Sequence, residues 1–136
     1  MVGVVIDTNV LVSALWSIDS NPYKVVEKVF TNDIMPYYNQ DILEEYTEVL
    51  TRAKFGFSTE QVIGLLREIM EKGVLAESDA SDSVFLDESD KVFYDLAKTH
   101  NVILITGNKK HYPDEPFVQS PLEYLQKDGF SDNNTT

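Results

Sequence analysis

The chain has 136 residues, no cysteine and a formal net charge of −12, from 23 acidic and 11 basic side chains. This length suits one domain with one hydrophobic core, and the lack of cysteine excludes a disulfide framework, a thiolate metal site and a cysteine nucleophile. The acidic balance argues against broad, sequence-independent clamping of nucleic acid.

The first half of the chain alternates predicted strands and helices. In chain order the elements are a strand over 2–6, a helix from Thr8 or Asn9, a helix opened by Asn21-Pro22, a strand over 34–38 and a helix capped by Asn39. No basic segment precedes Asp7 and no apolar run approaches the roughly 18 residues of a membrane helix, which argues against a signal peptide and a membrane span. We therefore expect a cytoplasmic protein.

The second half continues the same alternation. Its predicted elements are a helix from the Ser58/Gln61 capping box to Gly73, a strand over 74–77, a helix from Ser89 or Asp90 to Asn101, a buried strand over 102–105, a short strand over 117–118 and a helix opened by Ser120-Pro121-x-Glu123. The alternation predicts an α/β fold with a mostly parallel sheet covered on both faces. We expect a single domain over 1–130 and a disordered polar tail over 131–136.

A carboxylate, Asp7, ends the first buried strand, and Thr106-Gly107-Asn108 ends the clearest one. Sites in parallel sheets form beyond the carboxyl ends of strands, so these residues are candidates for a functional site. Asp7 has a second explanation, as the cap of the next helix, and Asn9 could equally be a cap or a turn former.

Further carboxylates lie on two predicted helices. Glu45 is closer to the apolar stripe of its helix than Glu44 or Glu48, which predicts partial burial, although a solvated acidic face explains the same pattern. Asp87 and Asp90 flank a helix start, where carboxylates cap amides, and their spacing also lets both face one point above the sheet.

Convergence of Asp7, Glu45 and Asp90 would require a cation or a shared proton, because carboxylates about 5 Å apart repel by roughly 3 kcal/mol per pair at an effective dielectric near 20. Oxygen ligands without cysteine favour Mg²⁺ or Mn²⁺ over Zn²⁺. Such an ion keeps open positions for a phosphate oxygen and an activated water, which indicates phosphodiester hydrolysis. Asn108 would add a neutral oxygen ligand or orient a water, and the Thr106 hydroxyl would hold the cluster.

Basic and aromatic residues give weaker indications. Lys109, Lys110 and His111 follow the strand end directly and could contact a substrate backbone, although they are also ordinary loop residues. Trp16 and the pair Tyr37-Tyr38 could stack bases, but core packing or a dimer surface is the favoured interpretation.

Four blocks in this order resemble a PIN domain. They are Val-Ile-Asp-Thr-Asn-Val-Leu-Val-Ser-Ala-Leu at 5–15, Ile-Leu-Glu-Glu-Tyr-x-Glu-Val-Leu at 42–50, Asp-x-x-Asp-x-x-Phe at 87–93 and Leu-Ile-Thr-Gly-Asn-Lys-Lys-His-Tyr-Pro at 104–113. The resemblance runs from about residue 2 to 127 and is to the branch of toxin components of toxin-antitoxin systems. It implies a three-layer α/β/α nuclease that cleaves RNA with Mg²⁺ or Mn²⁺, in which Asp7, Glu45 and Asp90 match the acidic triad.

The resemblance has one departure and implies partners. Many PIN domains carry a fourth acid where this chain has Asn108, which leaves a second metal site open, and Asp87 is the candidate that compensates. Asn9 is then expected to orient Asp7. Toxins of the family are usually homodimers neutralised by an antitoxin segment near the active site, and a basic segment would suit this acidic chain.

Two other function classes stay open. A catalytically weak PIN fold that acts as a binding or scaffold module would fit the net charge and Asn108. A haloacid-dehalogenase-like phosphatase also places a nucleophilic Asp after its first strand, but it needs a second Asp where this chain has Asn9. Metal-dependent RNA cleavage that is lost in Asp7→Asn would separate a nuclease from both.

Overall fold

A computed structural model gives the fold and describes residues 2–134, with side chains described for 2–127. The elements of this range are β1 Val2–Ile6, α1 Thr8–Trp16, α2 Asn21–Phe30, β2 Ile34–Tyr38, α3 Gln40–Leu50, α4 Thr59–Lys72, β3 Val74–Leu75, α5 Glu88–His100, β4 Ile103–Ile105, β5 Val118–Gln119 and α6 Pro121–Asn134. Single 3₁₀ turns lie at Ala53–Phe55 and Lys109–His111. None of the helices described has the length and apolar character needed to cross a membrane.

The strands form one parallel sheet in the order β3-β2-β1-β4-β5, flanked by the helices. This confirms the predicted α/β/α fold. The central strand β1 lies in the middle of the hydrophobic core, since the side chains of Val4, Val5 and Ile6 are fully buried. The chain leaves β1 towards β2 on one side, while β4 lies on the other, and such a switch in direction opens a crevice at the carboxyl ends of β1 and β4.

Capping residues set the helix starts largely as predicted. The capping box of Ser58 and the one of Ser120 and Glu123 both form, and the Asn39 side chain accepts from the Ile42 amide at 2.9 Å. The predicted starts of α2 and α5 were late, because Ser20 caps α2 and Asp87 caps α5, which begins at Glu88 rather than at Ser89 or Asp90. The Ser20 hydroxyl is also fixed by donating to the Ser17 carbonyl at 2.6 Å.

Three strand predictions were wrong at their ends. β4 begins at Ile103 rather than at residue 102, since its pairing with β1 starts with Val4 and Ile103. β3 stops at Leu75 rather than at residue 77 because it pairs only with Tyr37 and Tyr38, after which Asn39 turns the neighbouring chain into α3. β5 is Val118–Gln119, one residue later than predicted, since its pairing register is set by Leu104 and Ile105 of β4.

The last helix runs into the polar segment at 131–136. α6 extends through Asn134, so the first four residues of the predicted disordered tail have helical backbone. No proline interrupts this stretch, and helix propagation then needs only one hydrogen bond per added residue. Residues 135 and 136 lie outside the described residues.

Candidate active site

Asp7 occupies the cap position of α1 but its carboxylate has other partners. The side chain makes no capping hydrogen bond to the described amides of α1. Its Oδ2 instead accepts from the hydroxyls of Thr106 and Tyr112, each at 2.8 Å, and from Asn9 Nδ2 at 3.3 Å. Only 5% of Asp7 is exposed. The Thr8 and Asn9 amides near the carboxylate also lower its pKa, so helix capping contributes to its environment but does not by itself explain it.

Asn9 and Thr106 join the ends of β1 and β4. Asn9 Oδ1 accepts from the Gly107 amide at 2.9 Å, and Thr106 Oγ1 accepts from the Asn108 amide at 3.0 Å. Both side chains also donate to Asp7. They are the two residues that the sequence predicts to orient Asp7, and Thr106 is fully buried.

Tyr112 is a residue of the site that the sequence analysis missed. It follows the 3₁₀ turn Lys109–His111, is 6% exposed and donates its hydroxyl to Asp7. Its place in the chain carries no periodic signal, because it lies in a loop beside Pro113. An aromatic hydroxyl four residues beyond a strand-end Asn was the only sequence feature that could have indicated it.

One cleft of about 420 Å³ is lined by the three predicted acids, Asp7, Glu45 and Asp90. Asp7 comes from the end of β1, Glu45 from α3 and Asp90 from the first turn of α5. Asn108 and Asp87 line the same cleft. Within the described part of the chain, however, no three His, Cys, Asp or Glu side chains are close enough together to form a ready metal cage.

Burial and neighbouring charges shift the pKa values of the acids in the cleft. Burial raises the pKa of Asp7 despite the hydroxyls of Tyr112 and Thr106. Burial, followed by the charges of Asp7 and Asp87, raises the pKa of Asp90 to about 6. Burial and neighbouring carboxylates also raise the pKa of Glu45. All three ionised forms are thus disfavoured as long as no cation compensates them.

Asp87 serves first as a helix cap. It is the cap residue of α5, and its Oδ1 accepts from the amide and the hydroxyl of Ser89 at 3.0 and 2.8 Å. These hydrogen bonds lower the pKa of Asp87, the opposite of the direction at the three deeper acids. Its carboxylate is exposed at the rim of the cleft.

The three predicted basic contacts are not brought together at the cleft. His111 lines it, with Nδ1 3.4 Å from Asp90 Oδ2. Lys109 turns away to pair with Glu123 of α6 at 3.0 Å, and Lys110 lines a neighbouring cavity. A basic residue that sequence analysis did not single out, Arg52, lines the cleft instead and forms a bidentate pair with Glu48.

The donor set of the cleft fits a hard divalent cation. Besides the acids, Asn108 and Thr8 line the cleft with an amide oxygen and a hydroxyl. The buried hydroxyl of Thr8 has no hydrogen-bond partner among the described residues. Oxygen donors with few carboxylates suit Mg²⁺ or Mn²⁺, which keep several waters and do not need an all-protein cage. The arrangement can therefore take a hydrated ion and a phosphate group.

Comparison with known proteins gives two matches. A family model described as PIN domain matches residues 3–110. An uncharacterized protein of Methanocaldococcus jannaschii, MJ1680, is 29% identical over 111 residues, which cover 79% of this chain and 72% of that protein. No solved structure matches the chain significantly.

Proposed function

We propose that this chain, which belongs to the PIN domain family, is a metal-dependent ribonuclease whose active site is the cleft at the carboxyl ends of β1 and β4. Membership of the family indicates a nuclease-type function. The observation that carries the finer proposal is the shared cleft of Asp7, Glu45 and Asp90, together with the raised pKa of each. A domain over 1–130 would contain the whole site.

The proposed ligands of Mg²⁺ or Mn²⁺ are Asp7, Glu45 and Asp90, with Asn108 and Asp87 as further oxygen donors at the rim. When bound, the ion would lower the pKa of a water and neutralise charge on the phosphate. Thr106 and Tyr112 fix one oxygen of Asp7 by donating to it, so this carboxylate is held in one orientation before substrate arrives.

The basic residues of the cleft would position the RNA backbone. Arg52 and His111 lie on its lining, and Lys110 lies beside it. Lys109 would contact RNA only after leaving its ion pair with Glu123, an exposed pair that is worth about 0–1 kcal/mol. Because the chain carries a net charge of −12, binding should depend on these local contacts and on the metal.

We further propose that the protein is the toxin of a toxin-antitoxin pair and acts in the cytoplasm as a homodimer. The resemblance of its motifs to that branch supports this, as does the acidic cleft, which would take a basic antitoxin segment in place of a metal and RNA. Purification of the native complex should yield a small basic partner, and a protein isolated without one would argue against the proposal.

The test of the ribonuclease is cleavage of end-labelled single-stranded RNA by the purified chain. Product should appear with Mg²⁺ or Mn²⁺, stop with EDTA and return when metal is added back in excess. A binding or scaffold module would instead retain RNA in a filter or gel assay without any cleavage. Metal-independent cleavage would contradict the proposed mechanism.

Tyr112→Phe is expected to lower RNA cleavage about tenfold and to leave the fold intact. The variant loses one charge-assisted hydrogen bond to Asp7, worth about 1.5–3 kcal/mol, and the carboxylate becomes less well oriented. The Mg²⁺ concentration for half-maximal cleavage should rise, which a purely structural role would not change.

A matched control for this variant is Tyr38→Phe. Tyr38 is buried to a similar degree, and its hydroxyl donates to the Met70 carbonyl. The substitution therefore removes a hydroxyl of similar burial without changing the cleft. If both variants cleave like the wild type at low Mg²⁺, the hydroxyl of Tyr112 does not position Asp7.

A further inference from the structure

Three aromatic rings form a cluster where α1 ends and the 3₁₀ turn Ala53–Phe55 begins. Trp16 meets Phe55 edge to face with ring centres 5.3 Å apart, and it meets Phe57 at 6.3 Å. Phe55 and Phe57 are stacked at 5.7 Å with 13° between their planes. Gly56, in the left-handed region at φ 67°, lets these alternate residues face the same way. We name this cluster the aromatic shelf.

The aromatic shelf is exposed chiefly through Trp16 and reaches the cleft. Trp16 is 63% exposed, whereas Phe55 and Phe57 are partly buried and pack against the core. Phe55 lines the same cleft as Asp7 and Asp90. An exposed apolar surface that reaches into a charged cleft is typical of a binding site.

Cations flank the shelf in a chain that is otherwise acidic. Lys54 Nζ lies 5.1 Å from the centre of the Phe55 ring, and Arg52, two residues earlier, lines the cleft. Exposed rings beside positive side chains form the usual platform for single-stranded nucleic acid, because every base can stack and the backbone meets the cations.

We propose that the aromatic shelf stacks a base of single-stranded RNA next to the phosphate held in the cleft, with Lys54 facing an adjoining phosphate. This inference rests on the proposed ribonuclease function and adds a substrate contact to it. A second copy of the chain is the competing occupant. It is disfavoured at this place because Phe55 lines the cleft and Lys54 lies at its ring, an arrangement that suits a base and its phosphates.

Intrinsic tryptophan fluorescence can detect this contact without a label, because Trp16 is the only tryptophan of the chain. The experiment is a titration of the full chain, in the presence of Mg²⁺, with a six-nucleotide oligouridine joined by phosphorothioate linkages that resist cleavage. Tryptophan emission is recorded at each step. Saturable quenching is expected. An abasic oligonucleotide of the same length carries the phosphates without the bases, and it should leave the emission unchanged.

Variants then separate stacking from general charge. Trp16→Ala should weaken oligouridine binding about tenfold in fluorescence anisotropy, whereas Trp16→Phe should stay within about twofold. Val2→Ala is the matched control, since Val2 is 54% exposed at the opposite, amino end of β1. Lys54→Gln should reduce the slope of log affinity against log salt by about 0.7.

The outcomes distinguish this inference from the function on which it rests. RNA cleavage by the wild type with no quenching, and with Trp16→Ala binding unchanged, would overturn the shelf contact and leave the ribonuclease standing. Quenching of the wild type, together with oligouridine binding that Trp16→Ala weakens in fluorescence anisotropy, in a chain that never cleaves RNA, would support the shelf and overturn the ribonuclease. A dimer in sedimentation that Trp16→Ala dissociates, with no quenching by RNA, would make the shelf an interface between copies and overturn the inference.

Discussion

Asp7→Asn is expected to reduce RNA cleavage by at least about a thousandfold, equivalent to about 4 kcal/mol of transition-state stabilisation. The amide cannot supply the negative charge that a hard cation needs, although its oxygen can still accept from Thr106 and Tyr112. Burial disfavours the ionised form of Asp7 in the folded chain, so removal of the charge should leave the variant at least as stable as the wild type.

The measurement is the cleavage rate under single-turnover conditions, with thermal unfolding as the check on the fold. Asp41→Asn makes the same chemical change at an exposed position in the first turn of α3, outside the set of residues that line the cleft. It should cleave like the wild type. An Asp7→Asn variant that folds and keeps its activity would show that hydrolysis does not occur at this cleft.

Asp90→Asn is expected to abolish the stabilisation of the protein by Mg²⁺ and, without metal at pH 7.5, to raise the melting temperature by a few degrees. The pKa of Asp90 is raised to about 6 in the folded chain, from an ordinary value of 3.8. Asp90 therefore stabilises the folded state fully at a pH below its unfolded pKa, and this contribution is lost as the pH rises through about 6. The increase in melting temperature caused by Asp90→Asn should disappear as the pH falls towards 4.

The same linkage predicts how metal binding depends on pH. A proton on Asp90 competes with the cation, so the Mg²⁺-induced rise in the wild-type melting temperature should be larger at pH 8 than at pH 5.5. Differential scanning fluorimetry over this range measures both effects. If Mg²⁺ raises the melting temperature of Asp90→Asn as much as that of the wild type, the cation does not bind at this carboxylate.

The fold could be predicted from the sequence because its central elements carry strong local signals. The apolar runs of β1 and β4, each followed by polar residues, placed Asp7 and Asn108 at the same edge of the sheet. Glu45 is half-buried, as its position beside the apolar stripe of α3 predicts. Strand ends such as Leu75 could not be predicted, since they depend on where the neighbouring strand stops pairing.

The parts of the site that were missed are set by tertiary contacts. Tyr112 reaches Asp7 across 105 positions of the chain, and Lys109 is drawn from the cleft by Glu123 of α6. Core packing or a dimer surface was the favoured interpretation of Trp16 and Tyr37-Tyr38. Tyr38 is buried, whereas Trp16 is 63% exposed, so core packing does not hold for Trp16 and a dimer surface stays a prediction. A single ring on a helix has no local pattern that shows whether another element will cover it.

If the carboxylates of the cleft hold a divalent cation, crystals soaked with Mn²⁺ should reveal it by anomalous scattering. We expect a peak bounded by Asp7, Glu45 and Asp90 in the wild type and none there in Asp7→Asn. A saturating soak that gives no peak in this cleft, in a protein whose RNA cleavage still requires Mn²⁺, would contradict it.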